Sequence, residues 1–320
     1  MKNGKIVRNI LLGILIFVLA VLLILQVGVT IRYWDYFTNT KMIFHIPGLT
    51  SNFVPQGFAY LDESDTYLMS GYMSDGDASR VYIRDGDGKN TFATLHNADL
   101  SAYTAHAGGI CVNGEYAYFP GDNGIDVFSL RDILGGKAPL LGTIPLGFRV
   151  DFCSFENGYL MVGNFYYEGH YDTPEHHQLV SPAGDKNTGI ITVLRADAQQ
   201  EFGIDPNAVA AVSIREKVQG MCVTDGGTIV LSTSWGLTDS VLYCYDWDSA
   251  RTGTLETATG DVPLYYLDSE NLTKTIVAPP MAEEMVYRDG RVYVLNESAC
   301  NKYIFGRLIR GDWVYGYELP

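Results

Sequence analysis

The sequence is short of positive charge. It carries 22 Lys and Arg against 37 Asp and Glu, a net of −15. A general nucleic-acid binder neutralises phosphates with basic side chains, so this balance excludes that class. No Cys-x-x-Cys pair occurs among the five cysteines, which argues against a zinc ribbon or a thioredoxin-type motif. An odd number of cysteines cannot all pair within one chain. Cys111 and Cys222 each follow a Gly–apolar pair and read as small buried core residues, so no structural disulfide is expected. Gly-x-Ser-x-Gly, His-Glu-x-x-His and P-loop signatures are all missing. Proline is scarce at 12, whereas Gly numbers 34, Tyr 22 and Phe 14, the composition of a β-rich chain with many turns. With 47% hydrophobic residues and 320 residues in all, the chain has material for a sizeable core.

One long apolar run is present. Residues 9–31 carry no charge and are nearly all Leu, Ile, Val, Ala, Gly or Phe. A helix needs about 20 such residues to cross the hydrocarbon core. A cleaved signal peptide has a shorter apolar stretch of roughly 7–15 residues and a small-residue cleavage site, and the end of this run offers no such site. The reading is an uncleaved transmembrane anchor over 9–31, with a cleaved signal as the alternative. Lys2, Lys5 and Arg8 precede it with no acid among them, which places residues 1–8 in the cytoplasm as a tail. Tyr33, Trp34, Tyr36 and Phe37 then lie in a juxtamembrane linker, 32–40, as interfacial aromatics. Residues 41–320 form the ectodomain outside a cell membrane crossed once. Without the three leading cations, the net charge falls from −15 to −18.

That ectodomain is a repeat, which periodic sequences reveal before anything else. Segments starting at Gln56, Gly108, Cys153, Gln219 and Glu283 each hold a short apolar strand, a tight turn and a second apolar strand. The turns include Asn113-Gly114, Asn157-Gly158 and Asp289-Gly290, the signature of two-residue hairpins. A third strand follows each, for example Arg80–Arg84 and Trp313–Tyr317, and a variable fourth precedes the next segment. Four strands repeated radially is a β-propeller. The fold class is therefore all-β, a five-bladed β-propeller preceded by one transmembrane α-helix. A sixth blade is the alternative if a long insert (166–187, 199–207 or 249–262) hides a degenerate one, and a two-sheet sandwich is the other alternative. The last segment lacks a fourth strand, and Lys41–Ile46 stands where the first segment's predecessor would end. That N-terminal strand should close the ring.

Loops entering first strands and leaving second strands share one face of a propeller, and function usually sits on such loops. Gln56, His106, Gln219, Glu283 and Glu284 enter; Trp235 and Asn296 leave; Lys302, Arg307 and Arg310 arrive on the last long loop. These ten are the candidate ligand-binding residues; no catalytic residue is assigned and no metal ligand is named. A buried Glu without a partner is costly, so Glu283 or Glu284 should meet one of those three cations. No cofactor is required; a divalent cation held by oxygens at the axis is the alternative. In the insert, His170, His176 and His177 with Glu168, Asp172 and Glu175 read as a solvated loop or a lid over the channel, rather than a zinc site.

The Gln-Gly-apolar entries at Gln56 and Gln219 and the His106-Ala107-Gly108-Gly109-Ile110 entry resemble bacterial extracytoplasmic propellers distantly similar to regucalcin, gluconolactonase and strictosidine synthase. The resemblance covers about residues 41–320. It implies, for the lactonase-like members, one divalent ion at the axis and a Glu before a Gly at the entry to the first blade. Here that position holds Gln56 before Gly57. The function expected is binding of a polar ligand, an envelope glycan or a protein partner at the channel mouth. A metal-dependent hydrolase or lyase at the same mouth is the alternative. The partners expected are the membrane, through residues 9–31, and an envelope protein or glycan.

Overall fold

The computed structural model describes residues 2–319. The outermost ends of the expected tail and ectodomain, Met1 and Pro320, lie outside the described residues. Helix α1 spans Lys2–Arg32, and α2 follows at Trp34–Thr38. The first turns of α1 therefore occupy the stretch expected as a tail. The stretch expected as a linker is folded: Tyr33 and Tyr36 are buried and pack with Tyr315 and Tyr317. Burying the Tyr33 and Tyr36 rings takes a large apolar area out of water, while Trp34 in the same segment stays exposed.

The rest is β-structure. Strand β1 is Thr40–His45. The first repeat pairs as an antiparallel array of β2 (Phe53–Leu61), β3 (Thr66–Met73), β4 (Arg80–Arg84) and β5 (Asn90–His96). The second pairs as β6 (Cys111–Asn113), β7 (Tyr116–Gly121), β8 (Gly124–Ser129) and β9 (Lys137–Pro145). The third uses β10 (Phe152–Glu156), β11 (Tyr159–Gly163), β14 (Gly189–Ala196) and β15 (Ile204–Ile214), with the short pair β12 (Leu179–Val180) and β13 (Lys186–Asn187) in its insert. The fourth uses β16 (Val218–Val223), β17 (Thr228–Thr233), β18 (Ser240–Asp246) and β21 (Leu272–Ala278), interrupted by the hairpin β19 (Arg251–Thr257) and β20 (Gly260–Tyr266). The last uses β22 (Ala282–Arg288), β23 (Arg291–Asn296) and β24 (Trp313–Glu318).

Strand β1 completes this last array from the other end of the chain, antiparallel to β24, with Thr40 opposite Tyr317 and His45 opposite Trp313. Outer strands also join neighbouring arrays in parallel, β5 to β9 and β15 to β20. The innermost strands touch in a closed cycle: β2 to β6, β6 to β10, β10 to β16, β16 to β22, and β22 back to β2. Apolar clusters fill the space between successive arrays. Phe58 and Leu295 belong to one, Leu68 and Phe119 to the next, then Tyr118 and Leu160, then Phe152 and Leu231, then Val230 and Tyr317. Two hairpins turn with both central residues at positive φ: Asn157 (52°) with Gly158 (82°), and Asp289 (51°) with Gly290 (72°), where Asn or Asp followed by Gly is the least strained choice. The molecule is an all-β, propeller-like body with an apolar helix at its N-terminus.

Candidate functional site

The site is built by β-bulges. Pairing slips by one residue at Gln56 in β2, at Gln219 in β16 and across Glu283–Glu284 in β22. A bulge leaves a residue out of the ladder and re-aims its side chain. Gln56 and Gln219 thereby line a cavity of about 970 Å³ at the mouth of the central channel.

At the next position inward, the first, second and fourth repeats carry Gly57, Gly109 and Gly220, the third has Phe152, and the last carries Glu284. A Cβ on Gly220 would come within 2.6 Å of Glu284 Cα, and one on Gly109 within 3.0 Å of Glu284 Oε1. The glycines thus make room for one carboxyl group near the axis. Glu284 Oε2 accepts the backbone N–H of Phe58 (2.8 Å) and of Ile110 (2.9 Å), and Oε1 accepts that of Cys153 (3.3 Å). A single side chain therefore ties four of the arrays together. Burial pushes its pKa up to about 8, against the pull of those three N–H donors. The expected contact between Glu283 or Glu284 and Lys302, Arg307 or Arg310 does not form among the described residues. The bulged first strands already present free N–H groups to Glu284, which need an acceptor and cost no bound cation. Glu283 is also fully buried, with Oε1 lacking a hydrogen-bond partner among the described residues. Burial and the neighbouring Glu297 and Glu284 carboxylates hold its carboxyl well above the usual range.

One wall of the cavity is a polar chain. Gln56 Nε2 donates to Glu297 Oε2 (2.7 Å) and to its neighbour's carbonyl at Pro55 (2.9 Å). Its Oε1 then accepts from His106 Nε2 (2.6 Å), which assigns the imidazole proton to Nε2. Burial and the Lys302 ammonium push the His106 pKa down to about 4. Burial raises Glu297 to about 7, opposed by Lys302 and Gln56. Lys302 Nζ donates to Tyr72 Oη (2.6 Å), and the Tyr72 ring stacks on His106 at 4.6 Å.

The facing wall is aromatic. Trp235 packs against Tyr167 (4.3 Å), Tyr171 (5.8 Å) and Phe165 (6.0 Å). Arg149 pairs with Asp151 at 2.8 Å, and Asp151 accepts the Phe165 N–H at 2.7 Å. The histidine-rich insert builds this wall and does not gather ligands. His177 is buried and bonded to Asn164 Oδ1 (2.7 Å), while His170 stacks on Tyr167 (4.9 Å). Among the described residues no group of three or more His, Cys, Asp or Glu is placed to hold a metal ion. All five cysteines are buried free thiols.

Of the ten expected residues, Gln56, His106, Gln219, Trp235 and Lys302 line the cavity. Glu283 and Glu284 are buried away from its lining. Asn296 pairs opposite Ala282, buried, with Oδ1 lacking a hydrogen-bond partner among the described residues. Arg307 is turned to loop carbonyls, at Ala299 and Leu49 (both 3.0 Å), and to Asn301 Oδ1 (2.8 Å). Arg310 reaches Thr30 Oγ1 (3.3 Å) on α1 and lies over the Phe37 ring. Arg307 thus satisfies carbonyls just before the 3-10 turns over Asn301–Ile309 and in the loop after β1. Glu297, Tyr72 and Tyr303, outside those ten, also line the cavity. Glu297 directly follows the last residue of β23, and that position was the available signal.

No family model matches the chain. No curated protein matches it. Among solved structures it is similar to the glutaminyl cyclase of Myxococcus xanthus, at 12% identity and a TM-score of 0.45, over 87% of this chain and 94% of that one. It is also similar to the PQQ-bound aldose sugar dehydrogenase of Streptomyces coelicolor, at 17% identity and a TM-score of 0.43, over 80% of this chain and 78% of that one.

Proposed function

We propose that the protein is a membrane-anchored five-bladed β-propeller that binds a polyhydroxylated ligand, a glycan, at its channel mouth. The closed cycle of β2, β6, β10, β16 and β22 supports the count of five blades. One observation carries the ligand class. The cavity sets flat aromatic rings, with Trp235 and Tyr171 on one side and Tyr72 on the other, around amide and carboxyl groups of Gln56, Gln219 and Glu297. Sugar rings offer an apolar C–H face to the first and hydroxyl groups to the second. Lys5 and Arg8 ahead of the apolar run favour a cytoplasmic N-terminus and a propeller outside the cell membrane. The test is calorimetric titration of the purified protein with soluble oligosaccharides. Trp235→Ala and Gln56→Leu should each abolish binding while circular dichroism stays native. Unchanged affinity in both variants would reject the reading.

A second reading is an acid–base enzyme, a hydrolase or lyase, using the same mouth. It is favoured by Glu297, whose pKa of about 7 lets it give or take a proton near neutrality. Turnover of a bound glycan that disappears in Glu297→Gln would select it over binding alone.

A further inference from the structure

The apolar helix and the cavity share one face of the propeller. Helix α1 docks from residue 26 onward. Gln26 donates to the Leu308 carbonyl, Thr30 Oγ1 accepts from Arg310, Arg32 pairs with Asp239, and Tyr33 donates to Asp239 Oδ1 at 2.8 Å. Asp239 lies in the loop after β17, and Leu308 and Arg310 in the loop after β23. Those same two loops give the cavity Trp235, Glu297, Lys302 and Tyr303. From Tyr33 the chain runs toward the far edge, where Glu318 N–H donates to the Asn39 carbonyl. The part of α1 before residue 26 therefore rises beyond the mouth.

The length of that free part fixes how close a membrane comes. Residues 9–25 are uncharged and exposed along their whole length. Seventeen residues at about 1.5 Å each span ~25 Å, short of the ~30 Å hydrocarbon core. The remaining few ångströms come from residues already flanked by the propeller rim. The rim at that level exposes apolar side chains: Leu237 is 67% exposed, Phe305 62% and Ile304 54%, with Leu308 beside Gln26. Arg307 and Arg310 stand among them, the mixture of aromatic, aliphatic and basic side chains suited to an interface.

We propose that the mouth face is seated on the bilayer, with Leu237, Ile304 and Phe305 in the interfacial layer, and that the cavity takes the headgroup of a lipid-borne glycan. This rests on the anchor and glycan readings above. The test uses the full-length protein in lipid nanodiscs. A nitroxide on Phe305→Cys should be reached by oxygen and shielded from a water-soluble nickel chelate. A nitroxide on Tyr159→Cys, in the hairpin of the opposite face, should show the reverse. Nanodiscs carrying a monoglycosyl diacylglycerol should be bound on the order of tenfold or more tightly than the same sugar in solution, because confinement to the leaflet raises effective concentration. Trp235→Ala should remove both binding signals and leave the Phe305 depth unchanged. Equal chelate access at 305 and 159 overturns the seating while glycan binding still stands. Equal affinity for soluble and lipid-borne sugar overturns the headgroup claim. A shielded 305 with neither sugar bound rejects the glycan reading, and the lipid-borne ligand with it. A purified protein whose mass lacks α1 refutes the anchor itself.

Discussion

His106 Nε2 and Gln56 Oε1 meet at 2.6 Å, and this contact orders the polar wall of the cavity. Because the Gln56 amide nitrogen is committed to Glu297, its oxygen can only accept, and the imidazole must donate. The neutral imidazole is thus held in one tautomer beside a carboxyl group that retains its proton up to about pH 7.

The His106 imidazole should therefore stay neutral well into acid, protonating at about pH 4. Nitrogen NMR of histidine-labelled protein reads both tautomer and pKa. Lys302→Met removes the nearby like charge and should move the pKa upward, toward 6.5. A wild-type His106 titrating at its ordinary value would contradict the geometry.

Glu284→Ala leaves the N–H groups of Phe58, Ile110 and Cys153 without their acceptor. Each orphaned buried donor costs about 1–3 kcal/mol, so the loss should reach roughly 3 kcal/mol or more in denaturant unfolding. Glu284→Gln keeps one accepting oxygen and should lose less. A Glu284→Ala variant as stable as the parent would mean that Glu284 does not tie the arrays together.

Stability should fall as pH rises from about 6.5 to 8. Glu283, Glu284 and Glu297 all have folded pKa values above the ordinary carboxylate value, so the folded state holds protons that the unfolded chain has released. Their contribution is complete below about pH 4.5, and that of Glu297 and Glu284 drains away through folded values near 7 and 8. Each extra proton held is worth about 1.4 kcal/mol per pH unit. His106 and His177, both lowered to about 4, act in the opposite sense, but only below 6.5. Thermal midpoints at pH 6.5 and pH 8 test the sign, and Glu284→Gln should flatten the slope.

Tyr36 is fully buried, with a hydroxyl that has no partner among the described residues. Tyr36→Phe should be neutral or stabilising, since it removes an unsatisfied polar group. Tyr36→Ala should cost about 3–5 kcal/mol, in the range for deleting a buried aromatic. A chain beginning at Thr50, lacking both α2 and β1, should aggregate or melt earlier than one beginning at Tyr33. Equal midpoints for those two chains would remove β1 from the closure.

The repeat was legible because its turns and its alternating apolar strands are local, and closure by the 41–46 segment followed from a missing fourth strand. The bulges were half legible. Gln56 and Gln219 stand out before glycines, but Glu284 at a glycine position reads as a charge seeking a cation. Only the assembled ring shows three backbone N–H groups converging on it. The burial of Tyr36 was hidden for a related reason, since its partners Tyr315 and Tyr317 are about 280 residues away. Arg307 and Arg310 misled because loop carbonyls and Thr30, their actual partners, carry no sequence signal. The parallel joins β5–β9 and β15–β20 left none either, because outer strands follow no strict pattern.

Pairing β1 with β24 sets a clock on biogenesis. His45 leaves the ribosome 268 positions before Trp313. At about 5–20 residues per second, roughly 13 to 54 s pass before the partner strand exists. Throughout that time the innermost strands can assemble in order as they are made, yet β1 stays open beside the apolar helix, and β23 keeps a free edge once it appears. A chain halted anywhere before Trp313 never acquires the seam. Nascent chains should therefore become protease-resistant in one step, and only once β24 has emerged.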